Sequence, residues 1–327
     1  MRSIFLSITV LVSLSLSAEK YERTSDCFDS FPSHQKWVEF VKSKNKGRNI
    51  PKAFFSRVVS PEDFEYSKKH FECSYIRYES DGITVLGYLV LPKAGTNTNK
   101  QYPVVIYNRG GNRSYGATSF AGLFNYIFPI AKEGFIVIAS QYRGLIPNDP
   151  QTFGEDEFGG KDVNDVEALF DIIDSIPSAD KNNIFMMGHS RGAMMNYLVA
   201  KRTSRINAMV SVAGPTDKLG SLDWRPEMEN VYKELIPNYA KEKEEQLKKR
   251  SIFYWVEKLP EELPILLIHG EKDKRVNVND SKILAKKLEE LKRPNKLVLY
   301  TDSDHQLRKY KSEVLKSSVG WFKSYLK

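Results

Sequence analysis

The residues best placed to do chemistry are Gly188-His189-Ser190-Arg191-Gly192, in which a serine stands between two glycines. A serine hydroxyl is a poor nucleophile unless a base removes its proton, and this pattern presents it well only on a sharp turn between a strand and a helix. The flanking residues supply both elements. NIFMM at 183–187 is a continuous apolar run, and AMMNYLVAKR at 193–202 reads as a helix. The glycines let the backbone turn sharply, keep neighbours away from the hydroxyl and allow strand and helix to approach closely. A nucleophilic Ser190 then calls for a histidine and an orienting acid further along the chain, each at the carboxyl end of a strand.

Five histidines are available. His34 and His70 precede the apolar runs, while His189 within the turn and His269 at the end of PILLIHG read as structural. His305 lies in TDSDHQL, just after the run KLVLY, and is expected to be the base. For the acid, Asp273 in HGEKDKRV is favoured because it completes the order Ser, Asp, His; Asp217 in AGPTDKL stays open as the alternative. Asp302 and Asp304 are too near His305 in sequence and read as turn residues. Acyl transfer also needs two N–H donors for a developing oxyanion. Arg191 is expected to give one and Gly110, in the loop RGGNRSYG, the other, with Arg109 as the alternative.

These residues must be positioned by a sheet. Apolar runs recur at 103–108, 135–140, 183–188, 208–214, 264–270 and 296–300, and SYIRYES, Asp81-Gly82 and ITVLGYLVLP ahead of them read as a β-hairpin. Strands apolar on both faces are buried between helices, as in parallel sheets. Between the runs lie helical stretches such as Asp162 to Ile173, where Asp162 is expected to cap. The fold class expected is α/β, with a mostly parallel sheet of about eight strands flanked by helices. The segment 19–74 reads as a short helical extension ahead of a catalytic domain at 75–327. An insert at 215–262 is read either as a lid or as helices packed on the domain's side. Its Trp224, Tyr254 and Trp255 are the candidate substrate contacts.

Arg2, the apolar and serine-rich stretch 4–17 and Ala18 read as a secretory signal at 1–18, too short and too polar for a stable membrane span. Export, to a secreted or periplasmic location, permits the only two cysteines, Cys27 and Cys73, to pair; two buried thiols are the alternative. The net charge of +8 arises from dispersed lysines, and the dense run at 241–250 alternates in sign. With no zinc-type spacing, no phosphate loop and no basic and aromatic interleaving, neither nucleic acid, metal nor cofactor is expected.

The motifs YESDGITVLGYLVLP, NRGGNRSYG, QYRG, FGGKDVNDVEAL, GHSRGAMM, HGEKDKRV and SDHQL together resemble the α/β-hydrolase superfamily. Within it they resemble the catalytic domain of the prolyl oligopeptidase family, over a stretch from about Tyr75 to the C-terminus. The resemblance implies Ser190 as nucleophile, Asp273 as acid and His305 as base, acting on a small-molecule or short-peptide substrate. It favours a peptidase, with a carboxylesterase as the alternative and a catalytically silent binding protein as a further one. Gated members of that family carry a β-propeller ahead of the hydrolase domain, and the roughly fifty-five residues between signal and first strand are too few for its blades. Where relatives have a His-Gly-Gly-Pro type loop, this chain has Arg109-Gly110-Gly111-Asn112.

Overall fold

Among the described residues nine strands form one sheet in the order β1-β2-β3-β5-β4-β6-β7-β8-β9. In chain order they are β1 (Tyr21–Asp26), β2 (Phe71–Ser80), β3 (Ile83–Pro92), β4 (Tyr102–Asn108), β5 (Ile136–Ser140), β6 (Ala179–His189), β7 (Ala208–Val212), β8 (Ile265–Gly270) and β9 (Asn295–Tyr300). This computed structural model describes residues 20–93, 99–145 and 154–327, so the expected signal at 1–18 lies outside the described residues. The first three strands join antiparallel, β3 pairs antiparallel with β5, and every pair from β5–β4 through β8–β9 is parallel. The β2–β3 hairpin turns at Asp81 and Gly82, both at positive φ.

Helices cover both faces, which is why β5, β7 and β8 are buried at every residue. One face carries α6 (Asp162–Ser175), α7 (Arg191–Ala200), α9 (Met228–Leu235), α10 (Tyr239–Lys249) and α11 (Val278–Glu290). The other carries α1 (His34–Lys44), α2 (Lys52–Val58), α3 (Pro61–His70) and α12 (Lys311–Lys323), together with α4 (Phe120–Gly122) and α5 (Phe128–Lys132) around a π-turn. Phe28, Phe64, Phe120, Phe124 and Phe128 pack there ring against ring, with Phe28 and Phe64 centroids 5.2 Å apart. α8 (Ser221–Trp224) is a short turn of helix near the cleft.

The expectations about the N-terminal part need correcting. The sheet has nine strands rather than about eight, because Tyr21–Asp26 adds an outer strand to β2. Its sequence, YERTSD, is polar and mostly exposed, and a search for apolar runs passes over it. The extension is therefore one strand and three helices. It is tied to the sheet by a disulfide between Cys27 and Cys73, 46 residues apart, beside a Cys27 N–H that donates to the Cys73 carbonyl at 2.9 Å. Asp162 also differs from its expected role: it opens α6 rather than preceding it, and its carboxylate accepts from the Gly159 and Gly160 N–H groups and pairs with Arg191.

Candidate active site

Ser190 sits between β6 and α7 with φ 57° and ψ −122°. A non-glycine residue at such angles is strained by about 1–3 kcal/mol and persists only where its surroundings hold it. Here the Ser190 N–H donates to the Val212 carbonyl at 2.8 Å, and the Ala193 N–H donates to the Ser190 carbonyl at 2.9 Å. The two glycines are sterically required. A Cβ on Gly188 would lie 2.2 Å from the Gly192 carbonyl oxygen, and one on Gly192 would lie 1.9 Å from that of Asn108. Asn108 in turn donates to Asn196 Oδ1 at 2.9 Å, and Asn196 donates to the Val210 carbonyl, so β4, α7 and β7 are clamped beneath the turn.

The loops after β8 and β9 bring Asp273 and His305 together: His305 Nδ1 lies 2.7 Å from Asp273 Oδ2. With Nδ1–H donating to the carboxylate, the lone pair is left on Nε2. Asp273 is held from several directions. Oδ2 also takes a bond from His269 Nε2 at 3.1 Å, and Oδ1 accepts the N–H groups of Arg275 and Val276 at 2.7 and 3.0 Å. Burial pushes its carboxyl pKa up, but the His269 and His305 hydrogen bonds outweigh that and hold it well below the usual carboxylate range. His269 passes the order outward through Nδ1, which accepts from Ser281 at 2.7 Å.

His189 donates from Nε2 to the His305 carbonyl at 2.9 Å, and the two rings lie 4.9 Å apart. Burial first, and then the neighbouring His305, lower its pKa to about 4, so it is neutral and fixes the backbone of the loop carrying His305. The alternative acid, Asp217, is occupied elsewhere: Oδ1 accepts from the Leu219 and Gly220 N–H groups and Oδ2 faces the Tyr254 hydroxyl. Asp304 accepts the Gln306 N–H as a turn residue.

Ser190 and His305 line one cleft of about 910 Å³. Among the described residues no hydrogen bond joins Ser190 Oγ to His305; such bonds often tighten only around substrate. Gly110 abuts the serine closely, since a Cβ there would lie 3.2 Å from Ser190 Cβ. Arg191 begins α7, where a first-turn N–H has no intrahelical acceptor. The Arg109 side chain is buried and clamps the glycine loop, donating to the carbonyls of Gly110, Arg113 and Gln141.

Sequence reasoning missed the side-chain role of Arg191. Its guanidinium pairs with Asp156 at 2.7 Å and Asp162 at 2.5 Å and donates to the Gly111 carbonyl, while Asp156 accepts the Arg113 N–H. It thus ties the glycine loop to the start of α6. The repeated carboxylates of FGGKDVNDV were the available signal. The insert proves to be of two kinds. Pro215, Lys218, Ser221, Arg225, Met228 and Tyr232 line the cleft, whereas Trp224, Tyr254 and Trp255 do not. Trp255 is buried against the sheet's helices with its indole N–H on the Lys248 carbonyl, Tyr254 packs beside it, and Trp224 is exposed. Met228 and Tyr232 of the insert are, together with Val231, apolar side chains that reach the cleft. No group of three or more His, Cys, Asp or Glu side chains is arranged to hold a metal among the described residues.

A mostly parallel sheet between helices, with a strained serine at one strand end and a hydrogen-bonded Asp–His pair beyond two others, is the arrangement of an α/β-hydrolase. The prolyl oligopeptidase family profile matches residues 122–327, and the chain belongs to that family of serine peptidases. Among curated proteins it is 29% identical to the uncharacterized peptidase YtmA of Bacillus subtilis, over 82% of this chain and 99% of that one. It is 25% identical to dipeptidyl-peptidase 5 of Porphyromonas gingivalis over 76% of this chain, but only 37% of that protein. Its fold matches a Pyrococcus horikoshii acylaminoacyl peptidase with a TM-score of 0.66 at 19% identity, covering 81% of this chain and 44% of the other. Except for YtmA, the chain spans less than half the length of these relatives.

Proposed function

We propose that this chain is an exported serine peptidase in which Ser190 is the nucleophile, His305 the general base and Asp273 the orienting acid. His305 Nε2 removes the proton as Ser190 Oγ attacks the scissile carbonyl. The oxyanion is held by the N–H groups of Arg191 and Gly110, a role worth about 3 kcal/mol per donor in comparable sites. His305 then protonates the departing amine, and water, activated by the same ring, releases the acyl group from Ser190. The observation that carries this reading is the 2.7 Å contact between His305 Nδ1 and Asp273 Oδ2, which leaves Nε2 as the acceptor in a cleft shared with Ser190. Short peptides or peptide-like amides are the substrates proposed, and the likeness to a dipeptidyl-peptidase 5 and to an acylaminoacyl peptidase favours that scale. Export is supported by the apolar stretch ahead of Glu19 and by the disulfide.

Intact mass after fluorophosphonate treatment tests the nucleophile: one label is expected on the wild type and none on Ser190→Ala. Parallel assays on a peptide amide and its matching ester test the reaction class. Turnover of the ester alone would replace the peptidase by a carboxylesterase.

A further inference from the structure

Lys218 is an anomaly in the cleft. It follows β7, is only 4% exposed, and lines the same cavity as Ser190. Its backbone N–H is fixed on Ser251 Oγ at 2.8 Å. Among the described residues its ammonium makes no hydrogen bond and has no carboxylate within ion-pair distance, although buried ammonium groups are ordinarily paired. The surrounding charges are occupied. Arg191 pairs with Asp156 and Asp162, Arg225 with Glu227 at 2.8 Å, and Arg250 donates to the Glu157 and Phe158 carbonyls. Asp280, whose charge acts on Lys218, accepts the Thr216 N–H at Oδ2. Lys272, Lys274, Arg275 and Arg308 add positive charge elsewhere on the lining, against Asp304 as the sole carboxylate among the described lining residues.

We propose that Lys218 binds a carboxylate of the substrate, so that the cleft selects acyl residues with an acidic side chain, Glu or Asp. The inference rests on the peptidase reading above and names its substrate class. Position assigns the carboxylate to the acyl portion. Lys218 Nζ lies 5.1 Å from the Phe158 ring centroid, and the Arg191 guanidinium lies 4.7 Å from the same centroid. Both cations flank the Phe158 ring, so Lys218 stands near the residue that follows the nucleophile, where the acyl portion held by Ser190 lies; the departing amine takes its proton from His305. Phe158, Met228 and Tyr232 provide apolar wall for the methylenes of such a side chain. Burial, reinforced by Arg191, Arg225 and Arg250 and opposed by Asp280, lowers the Lys218 pKa to about 7, and an incoming anion favours the charged form.

The test uses the full chain and N-acyl-aminoacyl 4-nitroanilides that differ only in Glu against Gln and Asp against Asn. The wild type is expected to prefer the acid by about tenfold or more in kcat/KM at pH 6, the ratio narrowing as pH rises above about 7. In Lys218→Met the ratio is expected to fall toward one, and in Lys218→Arg to be partly restored. A wild-type ratio near one in protein that fluorophosphonate labels at Ser190 would overturn the inference and leave the peptidase reading standing, as would an unchanged ratio in Lys218→Met. If the variants do not fold, the wild-type ratio and its pH dependence decide. If Ser190 does not label, the peptidase reading fails. Calorimetry with N-acetyl-glutamate amide and N-acetyl-glutamine amide then judges the carboxylate site alone: tighter binding of the acid retains it, and equal binding removes it.

Discussion

At the scale of single residues, the site depends on three groups whose environments are far from those in water. Replacing Ser190 by alanine is expected to lower kcat by about 10³-fold or more, read as loss of peptide-amide turnover in protein with an unchanged fold. Asp273→Asn keeps the shape but lets an amide N–H face the ring, favouring the wrong tautomer; a loss of about 10³–10⁴-fold in kcat is expected. The carboxyl of Asp273 is depressed in the folded state, so its stabilising contribution is full above the unfolded value of about 4 and is lost only as pH falls below that. His189 acts in a different window. Its folded pKa of about 4 lies below an unfolded value of about 6.5, so the unfolded chain gains protons first and stability declines as pH falls from about 6.5 toward 4. Thermal melts across that range should show the decline, and His189→Gln should flatten its upper part.

At the scale of elements, the six apolar strands and the hairpin were legible because burial on both faces demands long apolar runs and turns demand glycine beside aspartate, although β9, at the edge of the sheet, is only partly buried. The serine, its glycines, Asp273 and His305 were legible for a related reason: each stands at a strand end where few residue types meet the geometry. What could not be read was whatever depends on partners distant in sequence. Nothing in YERTSD announces a strand, since its ladder is supplied by β2 some fifty residues on. Nor does Lys218 announce burial, which follows from residues distant in sequence, Ser251 on its backbone N–H and the Phe158 ring beside its ammonium. The aromatic residues of the insert misled because size suggests contact with substrate, whereas Trp255 is consumed by packing. The steric logic of the turn gives a sharp expectation. Gly192→Ala drives a methyl into the Asn108 carbonyl, an immovable backbone atom, and should abolish fluorophosphonate labelling even where soluble protein is recovered.

At the scale of the whole molecule, the disulfide fastens the N-terminal strand and three helices to a sheet whose reactive end is built from β4, β6, β8 and β9. Stability and catalysis are therefore separable by position. A loop of 46 residues corresponds to about 4 kcal/mol in the chain-entropy model, and measured values often fall below it. Cys27→Ala with Cys73→Ala should lower the melting temperature by several degrees while kcat/KM at ambient temperature stays within about twofold.

The position of β1 on the outside of the sheet has a colloidal consequence. While the Cys27 link holds it, β1 presents a short, charged rim to solvent, a poor template for another chain. Reduction frees that strand to fray and bares the edge of β2 that it covers, Ser74 to Tyr78, with its unpaired amides and carbonyls. Self-association should then begin without unfolding of the rest. Samples kept in dithiothreitol are expected to scatter light progressively, faster at higher protein concentration, while those kept oxidised stay clear.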